Sequence, residues 1–159
     1  MCMFSTEKHG DIDVVTLTGR DEHLLSSALI FAVRSSLAQI KSNASQSNSP
    51  SVLILTAQGK FFSNGYDLTW AFIPDPATTG KSPSRAQQMS EALRSLVMDL
   101  VEFPRPTIVA VTGHAAAAGF VLAMCHDYVV MRKDKGFLYM SELDIRLKLP
   151  AWFMAVVKC

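Results

Sequence analysis

The sequence predicts an α/β domain, and three observations carry that reading. Short aliphatic or β-branched runs recur along the chain at Asp13–Thr18, Val52–Leu55, Thr107–Val111 and Tyr128–Met131, each the length of a strand rather than of a helix. Between them lie two stretches whose apolar residues recur at helical spacing. Two of the runs, Val52–Leu55 and Thr107–Val111, lead into turns built from small residues, as strands do when they hand over to helices in α/β layouts.

In chain order, Asp13–Thr18 reads as the first strand, ended by Gly19. A helix follows over Leu24–Ile40, with Leu25, Ala28, Leu29, Ala32, Val33, Leu37 and Ile40 on one face. Ser42–Ser51 is polar throughout except Ala44 and Pro50, and reads as a surface loop. The strand Val52–Leu55 leads into the turn Phe61–Leu68. Pro74–Pro83 carries three prolines and Gly80, which exclude regular helix and central strand. The segment is expected to be mobile, placed where a loop covering a substrate would be useful. Gln88–Glu102 repeats Met89, Ala92, Leu93, Leu96, Val97, Leu100 and Val101 as an amphipathic stripe, stopped by Pro104 and Pro106. The strand Thr107–Val111 ends at Gly113, after which Ala115–Ala118 predicts a helix start. Tyr128–Met131 and Phe137–Met140 read as two short strands around the charged turn Arg132–Gly136. No repeat or internal linker divides the chain, so residues 1–159 form one domain.

Composition narrows the function. With 159 residues and 49% hydrophobic content, the chain has enough apolar surface for a core. Fifteen basic and 14 acidic residues leave a net charge of +1 with no basic block, so nucleic-acid binding has no electrostatic support. Three cysteines without CxxC spacing point to a reducing compartment and to no zinc site, and the four histidines show no metal-ligand spacing. Met1–Lys8 lacks the apolar core of a secretory signal. Thr107–Cys125 has no Asp, Glu, Lys or Arg and is long enough to suggest a membrane span. Gly113, His114 and Gly119 interrupt it and Asp127 follows closely, so it reads as a buried strand plus helix.

The chemistry rests on the two small-residue turns. Small residues let the main chain approach a ligand, and a helix start leaves N–H groups free. Two such turns can supply two backbone donors to one oxygen, an oxyanion hole. A proton-moving partner is offered by Glu142, at the end of an apolar strand between Met140 and Leu143, where desolvation strengthens a carboxylate base. On position alone an ordinary surface glutamate is the commoner role. Asp67 reads as a cap for the next segment, His114 and His126 as hydrogen-bonded core residues, and Asp127 as a structural residue at a helix-to-strand turn. No G-x-S-x-G, G-x-G-x-x-G or Walker A pattern is present.

These residues together resemble the crotonase superfamily of enoyl-CoA hydratases and isomerases. The resemblance runs from about Gly10 to Pro150 and rests on Phe61–Leu68, Pro106–Gly119, His126-Asp127-Tyr128 and Met140-Ser141-Glu142, in order and in spacing. Within the superfamily, the chain is similar to the plant peroxisomal 3-enoyl-CoA isomerases. The resemblance implies a spiral of ββα units, with the backbone N–H groups of Tyr66 and Ala118 holding the oxygen of an acyl-CoA thioester. It sets Ser63, Asn64, Gly65, Asp67 and Gly119 along the substrate, with coenzyme A as part of the substrate, and no separate cofactor or metal. Hydratases of the family carry two carboxylates. Here the first aligns with Val121 and only Glu142 remains, which suits an isomerase with one base.

The same resemblance implies a family homotrimer and a peroxisomal address. It also implies a C-terminal helical part that this chain lacks: the chain is read as C-terminally truncated, an incomplete crotonase-like domain without most of the trimer helices. Its last residues, Val156–Cys159, are no peroxisomal tripeptide, which leaves the cytosol open as a location. After Glu142, Arg146 stands where the family has Gly and Lys148 where it has Pro. The apolar tail Ala151–Val157 is expected to lack cover and to form an aggregation or docking surface. Three readings result: isomerase through Glu142; hydratase, opposed by Val121; and a non-catalytic chain that binds acyl-CoA or associates with full-length relatives.

Overall fold

Gly10, at φ +61°, turns the chain between two antiparallel strands, β1 (Phe4–His9) and β2 (Ile12–Leu17), paired from Phe4↔Leu17 to His9↔Ile12. The computed structural model describes residues 3–19, 22–45, 51–72, 84–143 and 148–157. β1 is absent from the sequence reading. Its residues are mostly exposed, so pairing rather than burial defines it as an edge strand. β2 alternates as expected, with Val15 and Leu17 inside and Ile12 outside.

Helix α1 (Ser27–Ser45) presents Leu29, Ile30, Val33, Leu37 and Ile40 to the core. It runs beyond the expected end at Ile40 and takes in the first four residues of the expected polar loop, Ser42–Ser45. Extending a formed helix adds a hydrogen bond per residue and needs no burial, so exposed Lys41, Ser42 and Asn43 continue it. Residues 46–50 of that loop lie outside the described residues. Next come β3 (Val52–Ala57), β4 (Phe61–Ser63) and the single turn α2 (Leu68–Ala71). The expected loop Pro74–Pro83 lies outside the described residues.

Helix α3 (Arg85–Val101) opens on a capping box: Ser84 Oγ accepts from Gln87 N, while Gln87 Oε1 accepts from Ser84 N. Of its expected stripe, Met89, Leu93, Leu96, Val97 and Leu100 are buried and Ala92 is partly so, while Val101 at the last position is exposed. The chain continues through β5 (Thr107–Val111), β6 (His114–Ala116), α4 (Ala118–Met124), β7 (Tyr128–Met131) and β8 (Leu138–Tyr139). A 3₁₀ turn at Ser141–Leu143 and helix α5 (Ala151–Val157) complete the elements.

The strands sort into two sheets. The larger has the order β1-β2-β3-β5-β7, and the smaller β4-β6-β8. Apart from the β1–β2 hairpin every pairing is parallel, and one row across the large sheet reads Val15, Leu55, Val109, Val129. Each successive strand pair, β3/β4, β5/β6 and β7/β8, sends its first member to the large sheet and its second to the small one. That is a spiral of strand–strand–helix units, the α/β fold the sequence resemblance implied. Thr107–Cys125 is thereby divided among β5, β6 and α4, and no helix among the described residues is long and apolar enough to cross a membrane. The tail also departs from expectation: α5 is amphipathic, with Phe153 fully buried in the core while Met154 faces outward.

Candidate active site

Because β4, β6 and β8 run parallel, their C-terminal ends open on the same side of the small sheet. The segments that leave those ends are Asn64–Asp67, Ala117–Gly119 and Ser141–Leu143. They carry the sequence-predicted residues, so the topology brings together what lies 76 positions apart from Tyr66 to Glu142.

At the first turn Gly65 has φ +83°, a left-handed conformation that costs glycine nothing. Its amide donates to Ser63 Oγ (3.3 Å) and its carbonyl accepts from Leu25 N (2.8 Å). Asn64 N donates to Glu22 O (2.8 Å) and Leu68 N to Tyr66 O (2.9 Å). None of those bonds uses the Tyr66 N–H. Asp67 Oδ1 accepts from Trp70 N at 3.1 Å, the capping role read from the sequence.

The second turn differs from expectation. His114–Ala116 is strand β6, held between β4 and β8, so sheet pairing overrides the helix preference of the alanine run. The helix starts only at Ala118. Ala117, at φ 53° and ψ −124°, makes the turn in a conformation that a side chain rarely adopts. It is held on both sides: its N–H donates to Tyr139 O (2.9 Å), and its carbonyl accepts from Phe120 N (3.0 Å) and Val121 N (3.2 Å). Ala118 is the first residue of α4, where an N–H has no intrahelical acceptor. The two turns touch: a Cβ placed on Gly65 would lie 3.0 Å from Ala117 Cβ and 3.3 Å from Ala118 N.

Glu142 is not a surface glutamate. It is 4% exposed, and its Oε2 is enclosed without a hydrogen-bond partner. Burial raises its pKa above the ordinary carboxylate range, offset only in part by its own backbone N–H. The Tyr66 hydroxyl is likewise enclosed. Burial is the main cause that raises its pKa; the Ser90 hydroxyl partly offsets it, and the charges of Glu142 and Glu91 add to it. An aromatic wall stands behind Tyr66. Its ring lies 6.2 Å from that of Phe153, Phe153 meets Trp152 edge-on at 4.4 Å, and Trp152 Nε1 donates to Ser90 Oγ (3.3 Å).

The other residues read along the substrate serve the turns themselves. Ser63 is wholly buried, and its hydroxyl both donates to His23 O (2.9 Å) and accepts from Gly65 N. Gly119 has no room for a side chain, since a Cβ there would sit 2.4 Å from Ser63 O. Asn64 is half-buried beside the turn. Val121 faces the core, completely buried.

His114 lies at the start of β6, away from these strand ends, between the rings of Phe61 (5.2 Å) and Phe137 (5.5 Å). His126 is the hydrogen-bonded core residue expected, with Nδ1 against Cys125 Sγ (3.9 Å) and the Leu122 and Ala123 backbone, while its Nε2 and the Nδ1 of His114 are enclosed without a partner. Burial pushes His126 down to about 4 and the neighbouring Cys125 thiol up to about 12. Asp127 accepts from Thr107 N (2.7 Å) and Thr107 Oγ1 (2.9 Å), the structural role expected of it. Arg146 lies outside the described residues, and Lys148 is exposed. No group of three or more His, Cys, Asp or Glu among the described residues could hold a metal ion. Sequence reasoning missed Glu22–Leu25, which clamps the first turn, and Phe153, which backs it.

Chemically, the arrangement can hold an oxyanion between two main-chain donors while a carboxylate alongside takes or gives a proton. The family model for enoyl-CoA hydratase/isomerase matches residues 7–157. The chain is 54% identical over 156 residues to the enoyl-CoA delta isomerase 1, peroxisomal, of Arabidopsis thaliana, covering 98% of this chain and 61% of that protein. Identity to the enoyl-CoA delta isomerase 2, peroxisomal, of the same plant is 49% over 156 residues, covering 98% and 63%. A solved enoyl-CoA hydratase/carnithine racemase from Magnetospirillum magneticum shares the fold, with a TM-score of 0.82 at 21% identity, over 99% of this chain and 56% of its own. The chain belongs to the enoyl-CoA hydratase/isomerase family. It spans about three fifths of the length of the two plant relatives.

Proposed function

We propose that this site shifts the double bond of a 3-enoyl-CoA thioester to the 2-position, with Glu142 as its one base. The observation that carries the reading is the Glu142 carboxylate, buried and unpartnered at the strand ends where two backbone turns meet. Ionised Glu142 takes a proton from C2, and the electron pair of that C–H bond spreads through the alkene and carbonyl as a dienolate. The negative charge gathers on the thioester oxygen, where the N–H groups of Tyr66 and Ala118 meet it. One donor of this kind contributes about 3–4 kcal/mol to the transition state. Protonated Glu142 then returns the proton at C4, which leaves the 2-enoyl thioester and restores the carboxylate. Hydration would need a second carboxylate to activate water, and the position for it is held by Val121 in the core. Coenzyme A enters as part of the substrate, and no other cofactor takes part. Ser63, Asn64, Gly65, Asp67 and Gly119 contribute by shaping the main chain along the thioester. The peroxisome is the compartment that the names of both plant relatives carry, and we assign the chain to it on that similarity.

A second reading, association with a longer relative without turnover, draws on the exposed Tyr128 and Val130 of the edge strand β7 and the exposed Phe137 just before β8. One experiment separates the two: purified chain and its Glu142→Gln variant are given a 3-enoyl-CoA, and the conjugated product is followed by ultraviolet absorbance. Turnover that the variant loses while still binding the thioester supports the isomerase. A folded wild-type chain without turnover overturns it.

A further inference from the structure

We infer that His23 is a positioning residue for the oxyanion site, locking the Phe61–Gly65 turn so that the Tyr66 N–H faces the same point as the Ala118 N–H. The inference rests on the isomerase reading and adds to it a residue that never meets the substrate. Strand β4 is irregular where it passes β6: Phe61 pairs with His114 and Ser63 with Ala115, so two steps on one strand oppose one on the other. A bulge of this kind bends its strand and re-aims the residues beyond it, here Gly65 and Tyr66. His23 sits against the bulge, 4% exposed, with its backbone at φ +42°, a conformation rare for a residue with a side chain.

Its ring and its carbonyl are both used. Nδ1 lies 3.0 Å from the Phe61 carbonyl, so that nitrogen carries the proton and donates it. The His23 carbonyl accepts from Ser63 Oγ at 2.9 Å, and that same hydroxyl receives the Gly65 N–H. On either side, Glu22 O accepts from Asn64 N and Leu25 N donates to Gly65 O, each at 2.8 Å. Four bonds thus tie Glu22, His23 and Leu25 to Phe61–Gly65, and the strained residue is the one that supplies two of them. Strain held in place by this many contacts beside a reactive site is a mark of preorganisation.

The test uses two variants of the full chain. His23→Gly keeps the backbone free to adopt positive φ and removes the ring donor; His23→Asn tolerates the same backbone and restores a short side-chain donor. Two quantities are read. One is the red shift in ultraviolet absorbance when a 2,4-dienoyl-CoA binds, which reports polarisation of the thioester carbonyl without any turnover. The other is the division between kcat and KM for a 3-enoyl-CoA. The expected result for His23→Gly is a kcat lower by about 10–100-fold with KM little changed, the scale of a misplaced catalytic group, and a diminished red shift. His23→Asn recovers part of both. A His23→Gly protein that keeps the full red shift and kcat overturns the inference while the isomerase reading stands. A wild-type chain that shows neither red shift nor turnover overturns both.

Discussion

Gly119→Ala is the substitution that most directly tests whether the two turns form one site. A Cβ at this position would stand 2.4 Å from the Ser63 carbonyl oxygen, 2.8 Å from Ser63 Cβ and 2.9 Å from Ser63 C. Ordinary van der Waals contact begins near 3.4 Å, so α4 and β4 must separate by about 1 Å. The nearest atoms are backbone and a Cβ, so no side-chain rotation can relieve the clash. The strain belongs to the overpacking range of about 1–3 kcal/mol. The displaced element is the one that begins with Ala118, so its N–H moves away from that of Tyr66. A 1 Å misplacement of a catalytic group costs about 10²-fold, and loss of one oxyanion donor costs about 10²–10³ in kcat. The variant should therefore remain folded in thermal melts, with a lowered Tm, while 3-enoyl-CoA turnover falls by at least about 100-fold. Gly10→Ala is the matched control. Gly10, unlike Gly119, has positive φ, +61°, and nothing lies within 4 Å of its Cβ position. It should cost about 1–2 kcal/mol of stability and leave turnover intact. Equal activity in Gly119→Ala and Gly10→Ala would refute the reasoning.

Three further outcomes are expected from the buried charges. Since burial raises the pKa of Glu142, the folded chain binds a proton more readily than the unfolded chain above the ordinary value of 4.5, and stability falls as pH rises through that window; Glu142→Gln should therefore melt higher than wild type at neutral pH, with the gap closing in acid, while wild-type turnover rises with pH through an apparent pKa above 4.5. His126 runs the other way: its pKa drops from 6.5 to about 4 on folding, so stability is present above 6.5 and is lost as pH falls towards 4, by about 3 kcal/mol in all. Urea titrations across that range should show the loss in wild type and a flatter profile in His126→Gln. Arg105 Nη1 meets Asp13 Oδ2 at 3.2 Å with both side chains nearly buried, so Arg105→Met should cost about 3–5 kcal/mol by leaving the carboxylate unpaired, and Asp13→Asn in the same chain should return part of it.

How legible these features were depended on whether burial or pairing defines them. β2, β3, β5 and the face of α3 announce themselves because each buries a patterned set of side chains, and the pattern is written in the residues. β1 has no such pattern. It exists because Gly10 folds it back onto β2, which local composition does not encode. β6 hides for the opposite reason: Ala115 and Ala116 carry a helix preference, and only the strands on both sides of them make the segment extended. The end of α1 fails in a third way, since polar residues at a helix terminus and polar residues in a loop look alike when neither is buried.

The site divides along the same line. The roles proposed for Glu142, Tyr66 and Ala118 were reachable because small-residue turns and a carboxylate after an apolar strand are local signals, and the family resemblance ordered them. The contacts that hold them were not reachable. The bulge in β4, the positive φ of His23 and that of Ala117 are answers to tertiary constraints, and residues of those types usually adopt ordinary backbone conformations. Nor does composition reveal that Ser63 turns inward to His23 while Asn64 stays at the rim. A backbone oxyanion site makes this division inevitable. Its donors are N–H groups that every residue but proline possesses, so the chemistry lies in where the main chain is bent and what keeps it bent. Apart from the base, the side chains that matter most to such a site are therefore the ones that never face the substrate. Substitutions at Gly119 and His23 should consequently reduce turnover more than any replacement of the Tyr66 side chain that leaves its N–H in place, and comparing kcat for Tyr66→Phe with kcat for His23→Gly measures that order directly.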